Sequence, residues 1–479
     1  MVGYQRHAYL EPCLRTCVKI TTVNPATEQP IQTYSQMEKD EITQKITRSK
    51  SAFPNWRTDF EKRKSLIYDL VSYLRNNKIQ LAEVATKEMG KALKESISEI
   101  EKCAWALEFY ADYGGSFITE EVLNTDARKS FITFEPLGVV ASIMPWNFPY
   151  WQALRFAAPC LMAGNTIVMK PSSVTVQCGL ELEKAFRESG FPEGVFSVII
   201  GSSEAANNLI DSDVNAVTFT GSTNIGAMVG KRAASQLKKC VLELGGSDPF
   251  IVLEDANVEK AANGAVKGRF INCGQSCIAS KRFFVSKKIV NEFIEKFIHN
   301  TSRLSVGDPM IIENDMGPLV NKEALENISS IVDDARKKGA NVLLGGERTG
   351  NVGYFYKPTI LTDITPEMRI SREETFGPVA PITVFEDEKE ALRLANDSEF
   401  GLGASIWTEN LNKAEALSRR IESGIVTVNN VVISDPRIPF GGIKQSGYGR
   451  ELSRYGMLEF VNIKSVRFYD QLIHHHYVE

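Results

Sequence analysis

The sequence predicts an α/β fold of two parallel-sheet domains with a small β arm. Three observations carry this expectation. Strand and helix patterns alternate five times between residues 137 and 245, a second alternating series follows the Gly245-Gly246 pair, and two stretches fit neither series. Short apolar strands separated by amphipathic helices imply parallel sheets covered on both faces.

The elements follow in chain order. Residues 36–114 have helical texture: "EKRKSLIYDLVSYLRNN" places Leu66, Leu70, Val71 and Leu74 at helical spacing, and "AEVATKEMGKALKESISEIEKCAWALEFYADYGG" continues in kind. After "FEPLG" the pattern switches. "VVASIMPW" is a buried strand, "YWQALRFAAPCLMAG" a helix closed by Gly164, and "TIVMK" a strand. Helix "VQCGLELEKAFRESG", strand "GVFSVII", helix "SEAANNLI", strand "NAVTFT", helix "NIGAMVGKRAASQL" and strand "CVLEL" complete the first series. Beyond the glycine pair come "PFIVL", a helix from Asn257, "RFFVS", "KKIVNEFIEKFIHNTSRL", "NVLLGG", "APITVF", "KEALRLAND" and "IVTVNN". Residues 119–135 and the tail "VNIKSVRFYDQL" belong to neither series. Each is expected to be an arm that pairs elsewhere, across a subunit boundary.

Composition excludes several function classes. The 479 residues are 24% charged with a formal net charge of −4, so nothing draws the chain broadly to nucleic acid or an anionic membrane. No run approaches the roughly 18 apolar residues of a spanning helix. The opening "MVGYQRHAYLEPCLRTC" lacks an apolar core of signal-peptide length, and a cytoplasmic protein is expected. The eight cysteines are scattered with no C-x-x-C pair, as in a chain that keeps its thiols reduced. The five histidines lie at 7, 299 and 474–476, so a nucleophilic cysteine in mid-chain is expected to use a carboxylate as its base.

Five clusters combine residue types that can do chemistry, and each also has a purely structural reading. "MPWNFP" holds Asn147 at a strand end between Trp146 and Phe148, with an amide free to donate; a turn asparagine between packed aromatics looks the same. "TFTGSTNIG" runs a strand into a glycine turn and a helix, which suits a phosphate, although it is neither G-x-G-x-x-G nor a Walker loop. "KPSSVT" places Lys170 at the strand ends where α/β proteins bind nucleotides. "VLELGGSDP" holds Glu243 in an apolar strand end, either ion-paired or with the raised pKa of a general base. "NCGQSC" (272–277) has two cysteines, too few ligands for a metal clip, so no metal is expected. A nucleophile flanked by glycine, with a backbone N–H facing an oxyanion, fits that stretch. The residues alone do not choose between Cys273 and Cys277.

Taken in order, "PWNFP", "KPSS", "FTGS", "LELGG", "NCGQSC" and "EETFGPV" (373–379) resemble the aldehyde dehydrogenase superfamily, and the likeness runs from "VNPATEQ" (23–29) to "PFGGIKQSGYGRE" (439–451). The resemblance implies a dinucleotide-binding domain over 1–118 and 137–245, an oligomerisation arm over 119–136 and 459–479, and a catalytic domain over 246–458. It implies Cys277 as nucleophile, with Cys273 a bystander at the variable position of the N-x-G-Q-x-C motif. Asn147 and the Cys277 N–H would hold the oxyanion, and Glu243 would activate the water that hydrolyses the thioester. Trp146 and Lys170 would lie near the adenosine ribose, Gly221 and Ser222 near the pyrophosphate, Glu374 on the nicotinamide ribose, and Phe376 at the nicotinamide end. Homodimers or homotetramers are usual in the family.

Cofactor and substrate are narrower expectations from the same resemblance. Members that prefer NAD often carry glutamate three residues after the lysine; Ser173 stands there, which favours NADP with NAD also accepted. Arg155, eight residues after Asn147, matches an arginine that helps bind the distal carboxylate in succinate-semialdehyde dehydrogenases. Many of those enzymes carry a second arginine six residues before the nucleophile, where this chain has Ile271, so broader aldehyde use is expected. Two alternatives stand beside hydrolytic oxidation. One is CoA-acylating oxidation, whose enzymes commonly lack the glutamate that Glu243 supplies; the other is a non-catalytic structural or binding member.

Overall fold

The computed structural model describes residues 18–470. Cys13, Cys17, the opening segment, the histidines at 7 and 474–476, and the end of the expected arm (471–479) lie outside the described residues. The chain begins with a hairpin, Lys19–Asn24 against Gln29–Ser35, which the sequence pattern did not single out. Four helices follow: Lys39–Trp56, Phe60–Asn76, Lys78–Met89 and Leu93–Phe117. Ile67, Leu70, Val71 and Leu74 form the buried stripe of the second, whose Asp59 side chain accepts the Lys62 N–H at 2.9 Å and caps its first turn.

The first sheet has six strands in the order Gly447–Tyr448, Lys239–Glu243, Ala216–Thr220, Val139–Ile143, Thr166–Lys170, Phe196–Val198. All pairings are parallel except that of Gly447–Tyr448, which returns from the far end of the chain to close one edge. The three central strands are buried along their whole length, as unbroken apolar runs covered on both faces must be. Every residue of the helix Pro149–Met162 is buried against this sheet's core, and Gly164 takes φ +101° at the turn that ends it.

The second sheet has seven strands: Asn341–Leu344, Thr359–Thr362, Val379–Phe385, Ser280–Ser286, Asp248–Val252, Gly403–Trp407, Ile425–Val428. Only Asn341–Leu344 runs antiparallel. Its cover includes the helix Val258–Phe270, started by an Asn257 side-chain cap on the Lys260 N–H, and the helix Lys322–Lys337, which the sequence reading passed over. No described helix is long and apolar enough to cross a membrane.

The two unassigned segments form one sheet. They pair with each other within the chain: Val461–Phe468 lies antiparallel to Lys129–Pro136 in unbroken eight-residue register, with Glu121–Leu123 as the third strand. Each is amphipathic at most weakly by itself, and the mutual ladder supplies the backbone partners both need.

Candidate active site

The "NCGQSC" stretch folds as a tight turn after the helix Val258–Phe270. Asn272 (φ 50°, ψ 41°), Cys273 (φ 54°, ψ 33°) and Gly274 (φ +72°) are left-handed in succession. Two non-glycine residues in that region are costly, and surrounding bonds hold them there. The Glu95 carboxylate accepts the Asn272 N–H at 3.1 Å to each oxygen. The Asn272 amide donates to the carbonyls of Asn147 (2.8 Å) and Gln275 (3.2 Å), and the Gln275 side chain accepts the Val320 N–H at 2.9 Å. Buried Arg269 donates to the carbonyls of Ser280 (3.0 Å), Gly274 (3.3 Å), Thr375 (2.9 Å) and Gly377. A Cβ on Gly274 would stand 2.3 Å from the Gly377 carbonyl, so glycine is required twice over at that position.

This turn separates the two cysteines. Cys273 is buried in the hydrophobic core of the second sheet, whereas Cys277 is half-buried, packs beside the first core and lines a cavity of about 480 Å³. Burial pushes the Cys277 thiol up to about 11, opposed by the positive charges of Arg155 and Lys281. Burial and Glu95 raise the Cys273 thiol further still. Lys281 also donates to the carbonyls of Ser276 (2.8 Å) and Cys277 (2.7 Å), fixing the backbone that carries the thiol.

Asn147 leaves the strand Val139–Ile143 and donates one amide hydrogen to the Gln275 carbonyl at 3.0 Å, which aims the side chain at the cysteine turn. Glu243 ends the strand Lys239–Glu243, is 3% exposed, and neither carboxylate oxygen has a hydrogen-bond partner among the described residues. Burial and the neighbouring Glu451 hold its carboxyl well above the usual carboxylate range, against Arg155 and Arg450. The Gly245-Gly246 pair lets these pieces meet. A Cβ on Gly246 would lie 2.8 Å from the Cys277 carbonyl, and one on Gly245 2.3 Å from the Glu374 carboxylate.

Of the other expected positions, Trp146, Lys170, Ser173, Gly221 and Ser222 follow the C-terminal ends of the first sheet's strands, the edge where open parallel sheets bind ligands, whereas Glu374 and Phe376 precede the strand Val379–Phe385 of the second sheet. Lys170 ends its strand, donates to the Pro171 carbonyl at 3.0 Å, and has no carboxylate partner among the described residues. Burial pushes it down to about 8. Ser173 is exposed in the turn that follows. Gly221 donates its N–H to the Glu243 carbonyl at 3.0 Å, and Ser222 begins the helix Thr223–Ala234 without a side-chain cap, which leaves that N-terminus to a ligand or water. Glu374 accepts the Gly246 N–H at 3.1 Å and pairs with Lys281 at 3.4 Å. The rings of Trp146 and Phe376 meet edge to face at 5.7 Å.

The sequence matches the Aldehyde dehydrogenase family profile over residues 15–466. The chain belongs to the aldehyde dehydrogenase family. It is 45% identical over 449 residues to a probable succinate-semialdehyde dehydrogenase (NADP(+)) of Synechocystis sp., covering 93% of this chain and 99% of that protein. The succinate semialdehyde dehydrogenase (NAD(P)+) Sad of Escherichia coli is 40% identical over 447 residues, with 93% and 97% covered. Among solved structures, the succinic semialdehyde dehydrogenase of Streptococcus pyogenes in complex with NADP+ superposes with a TM-score of 0.92 at 34% identity, covering 94% of this chain and all of that one.

In this aldehyde dehydrogenase the cavity beside Cys277 is walled by Phe148, Trp151, Ile271, Val432 and Phe440. Arg155 lines it too, but not as a free guanidinium at its mouth. It is 1% exposed, its Nε pairs with buried Glu451, and its guanidinium carbon lies over the Phe440 ring, 4.3 Å from the centroid. Nη2 makes no hydrogen bond among the described residues. Arg155→Ala is therefore expected to cost stability, on the order of 3 kcal/mol for breaking a buried pair. A lower midpoint of chemical unfolding checks this, and an unchanged midpoint would show that Glu451 does not depend on Arg155.

Sequence reasoning passed over Arg269, Lys281 and Glu95, which hold the backbone of the turn through hydrogen bonds. Asn272, Gly274 and Gln275 were visible as letters of the N-x-G-Q-x-C motif, and Glu451 as the last residue of "PFGGIKQSGYGRE". Nothing local marked Arg269 or Lys281.

Proposed function

We propose that this chain oxidises succinate semialdehyde to succinate, with broader use of medium-chain and aromatic aldehydes, and with NADP preferred and NAD also accepted. One observation carries the reading: a thiol with a flanking amide donor opens onto a largely apolar cavity whose wall bears cationic side chains. Apolar walls suit an aldehyde chain, and a cation suits its distal carboxylate. The names of the relatives from Synechocystis and Escherichia coli support the same substrate.

The residues divide the work as follows. Cys277 Sγ forms a bond to the aldehyde carbon as its proton leaves, giving a thiohemiacetal. The second Asn147 amide hydrogen and the Cys277 N–H face the oxygen as it gains negative charge, a stabilisation of about 3 kcal/mol per donor at such sites. NADP, when bound, would supply the acceptor for the hydride that leaves the thiohemiacetal carbon as its oxygen re-forms the carbonyl, which leaves Cys277 as a thioester. Glu243 takes a proton from water, whose oxygen then attacks the thioester carbon; the C–S bond breaks and the carboxylic acid departs. An unpaired buried carboxyl with a raised pKa suits a base working near neutrality. A CoA-acylating enzyme would have no use for that water.

The strand-end residues fit a dinucleotide: the uncapped helix Thr223–Ala234 offers N–H groups to a pyrophosphate, and Lys170 has no ion pair among the described residues. Gly221 and Ser222 would hold the pyrophosphate, Trp146 and Lys170 the adenosine ribose, Glu374 the nicotinamide ribose, and Phe376 the nicotinamide end. At Ser173 no carboxylate opposes a 2′-phosphate. Ser173→Glu is expected to lower the NADP-over-NAD ratio of kcat/KM by roughly tenfold or more, the scale of a like-charge contact. A wild type already far more efficient with NAD would sink the NADP preference.

The exposed Val122, Leu123, Ile463 and Phe468 on the three-stranded sheet suit an oligomerisation arm, and a homodimer or homotetramer follows from that reading. Free thiols at all six described cysteines suit a reducing compartment, and we place the protein in the cytoplasm. Nicotinamide reduction with a panel of aldehydes, with and without CoA, tests the whole proposal. Turnover of succinate semialdehyde without CoA is expected. Turnover only with CoA points to acyl transfer, and none with any aldehyde to a binding role.

A further inference from the structure

The charged groups lining the cavity can be accounted for one by one. Lys94 pairs with Asp315 at 2.6 Å, and Glu95 holds the Asn272 N–H. Glu99 pairs with buried Lys91 and accepts the N–H groups of Tyr150 and Trp151 at 2.9 and 2.8 Å, capping the helix Pro149–Met162. Arg155 pairs with Glu451. Lys267 is exposed and solvated. That leaves Lys102.

Lys102 projects from the helix Leu93–Phe117 and is half-buried. Its ammonium donates to Ser434 Oγ at 2.7 Å and lies 4.4 Å from the Trp151 ring centroid. No carboxylate among the described residues is within ion-pairing distance of it, since the nearby Asp435 is held by Arg437 at 2.6 Å. Burial and then the Arg155 charge push the ammonium down to about 8, with Cys103, Glu99 and Asp435 opposing. A partly desolvated cation facing a cavity without its own counter-ion is stabilised by an anion supplied from outside.

Resting on the semialdehyde reading, we propose that Lys102, held by Ser434 and Trp151, is the specificity-determining residue that binds the substrate's distal carboxylate. Arg155, neutralised by Glu451, shapes the wall behind it. The ammonium thus takes the place of the second arginine, where Ile271 offers only apolar surface to the cavity.

The test compares kcat/KM for succinate semialdehyde and for its methyl ester, which keeps the chain and removes the charge. In Lys102→Met the acid-over-ester ratio is expected to fall by roughly tenfold or more, through KM rather than kcat, the scale of one lost charge-assisted contact. Lys102→Gln, which keeps a donor for Ser434 without the charge, should fall similarly, and Lys102→Arg should retain most of the preference. A ratio that survives both neutral variants overturns the role of Lys102 while leaving the semialdehyde reading intact. Equal losses on both substrates make Lys102 structural and likewise overturn it. A wild type that does not prefer the acid overturns the semialdehyde reading itself, and the role of Lys102 with it.

Discussion

Cys277→Ser is expected to abolish aldehyde oxidation, while Cys273→Ser keeps most of it. A serine hydroxyl holds its proton far too tightly to replace a thiol as nucleophile. The two cysteines are four residues apart yet serve different surroundings. Cys277 lines the cavity beside Arg155 and Lys281, whose charges favour the thiolate against the burial that raises its pKa. Cys273 is buried beneath the second sheet, beside Glu95, whose charge disfavours a thiolate. A hydroxyl there leaves one more polar group in an apolar core, a cost of about 1–3 kcal/mol in stability rather than in chemistry. Steady-state NADPH formation with succinate semialdehyde reads both variants. A dead Cys273→Ser enzyme beside an active Cys277→Ser enzyme would reverse the assignment.

Glu243→Gln is expected to keep a rapid burst of reduced nicotinamide and to lose steady-state turnover by about 10²–10⁴-fold, the usual contribution of a general base. Formation of the thioester draws on Cys277 and the oxyanion donors, whereas its hydrolysis needs water with a proton acceptor beside it. Glutamine preserves the shape and removes the basicity. The pH dependence has a definite sign. Because the Glu243 carboxyl is raised above its ordinary range, the fraction able to accept a proton grows as pH rises, and wild-type deacylation should rise with it. That rise should vanish in Glu243→Gln. Equal loss of burst and steady state would instead assign Glu243 to deprotonating Cys277 or to structure.

Much of the candidate site was legible because its residues sit at ends of locally encoded elements. The strand "VVASI" must stop near Trp146 and Asn147, "TIVMK" at Lys170 and "CVLEL" at Glu243, and parallel topology brings those ends to one edge. Hydrophobic periodicity specifies the elements, and the one-handed crossover between parallel strands leaves little freedom in where their ends lie. The arm was legible only as a misfit to both series. Its partner, the eight-residue ladder between Lys129–Pro136 and Val461–Phe468, depends on two distant segments finding each other.

By itself, then, the sequence determined the α/β class, the two alternating series, and the motifs that carry Asn147, Glu243 and the cysteine pair 273/277, in that order along the chain. Tertiary structure alone decided what surrounds them. It turned Cys273 away from the cavity through two left-handed residues held by Glu95 and neighbouring amides. It paired Arg155 with Glu451, and it left Lys102 facing Ser434, 332 residues away in sequence, with no ion pair among the described residues. The physical reason is range. Backbone preference and side-chain periodicity act over a few residues, whereas a buried charge is defined by whichever group packing delivers to it, and that group carries no mark in the local pattern.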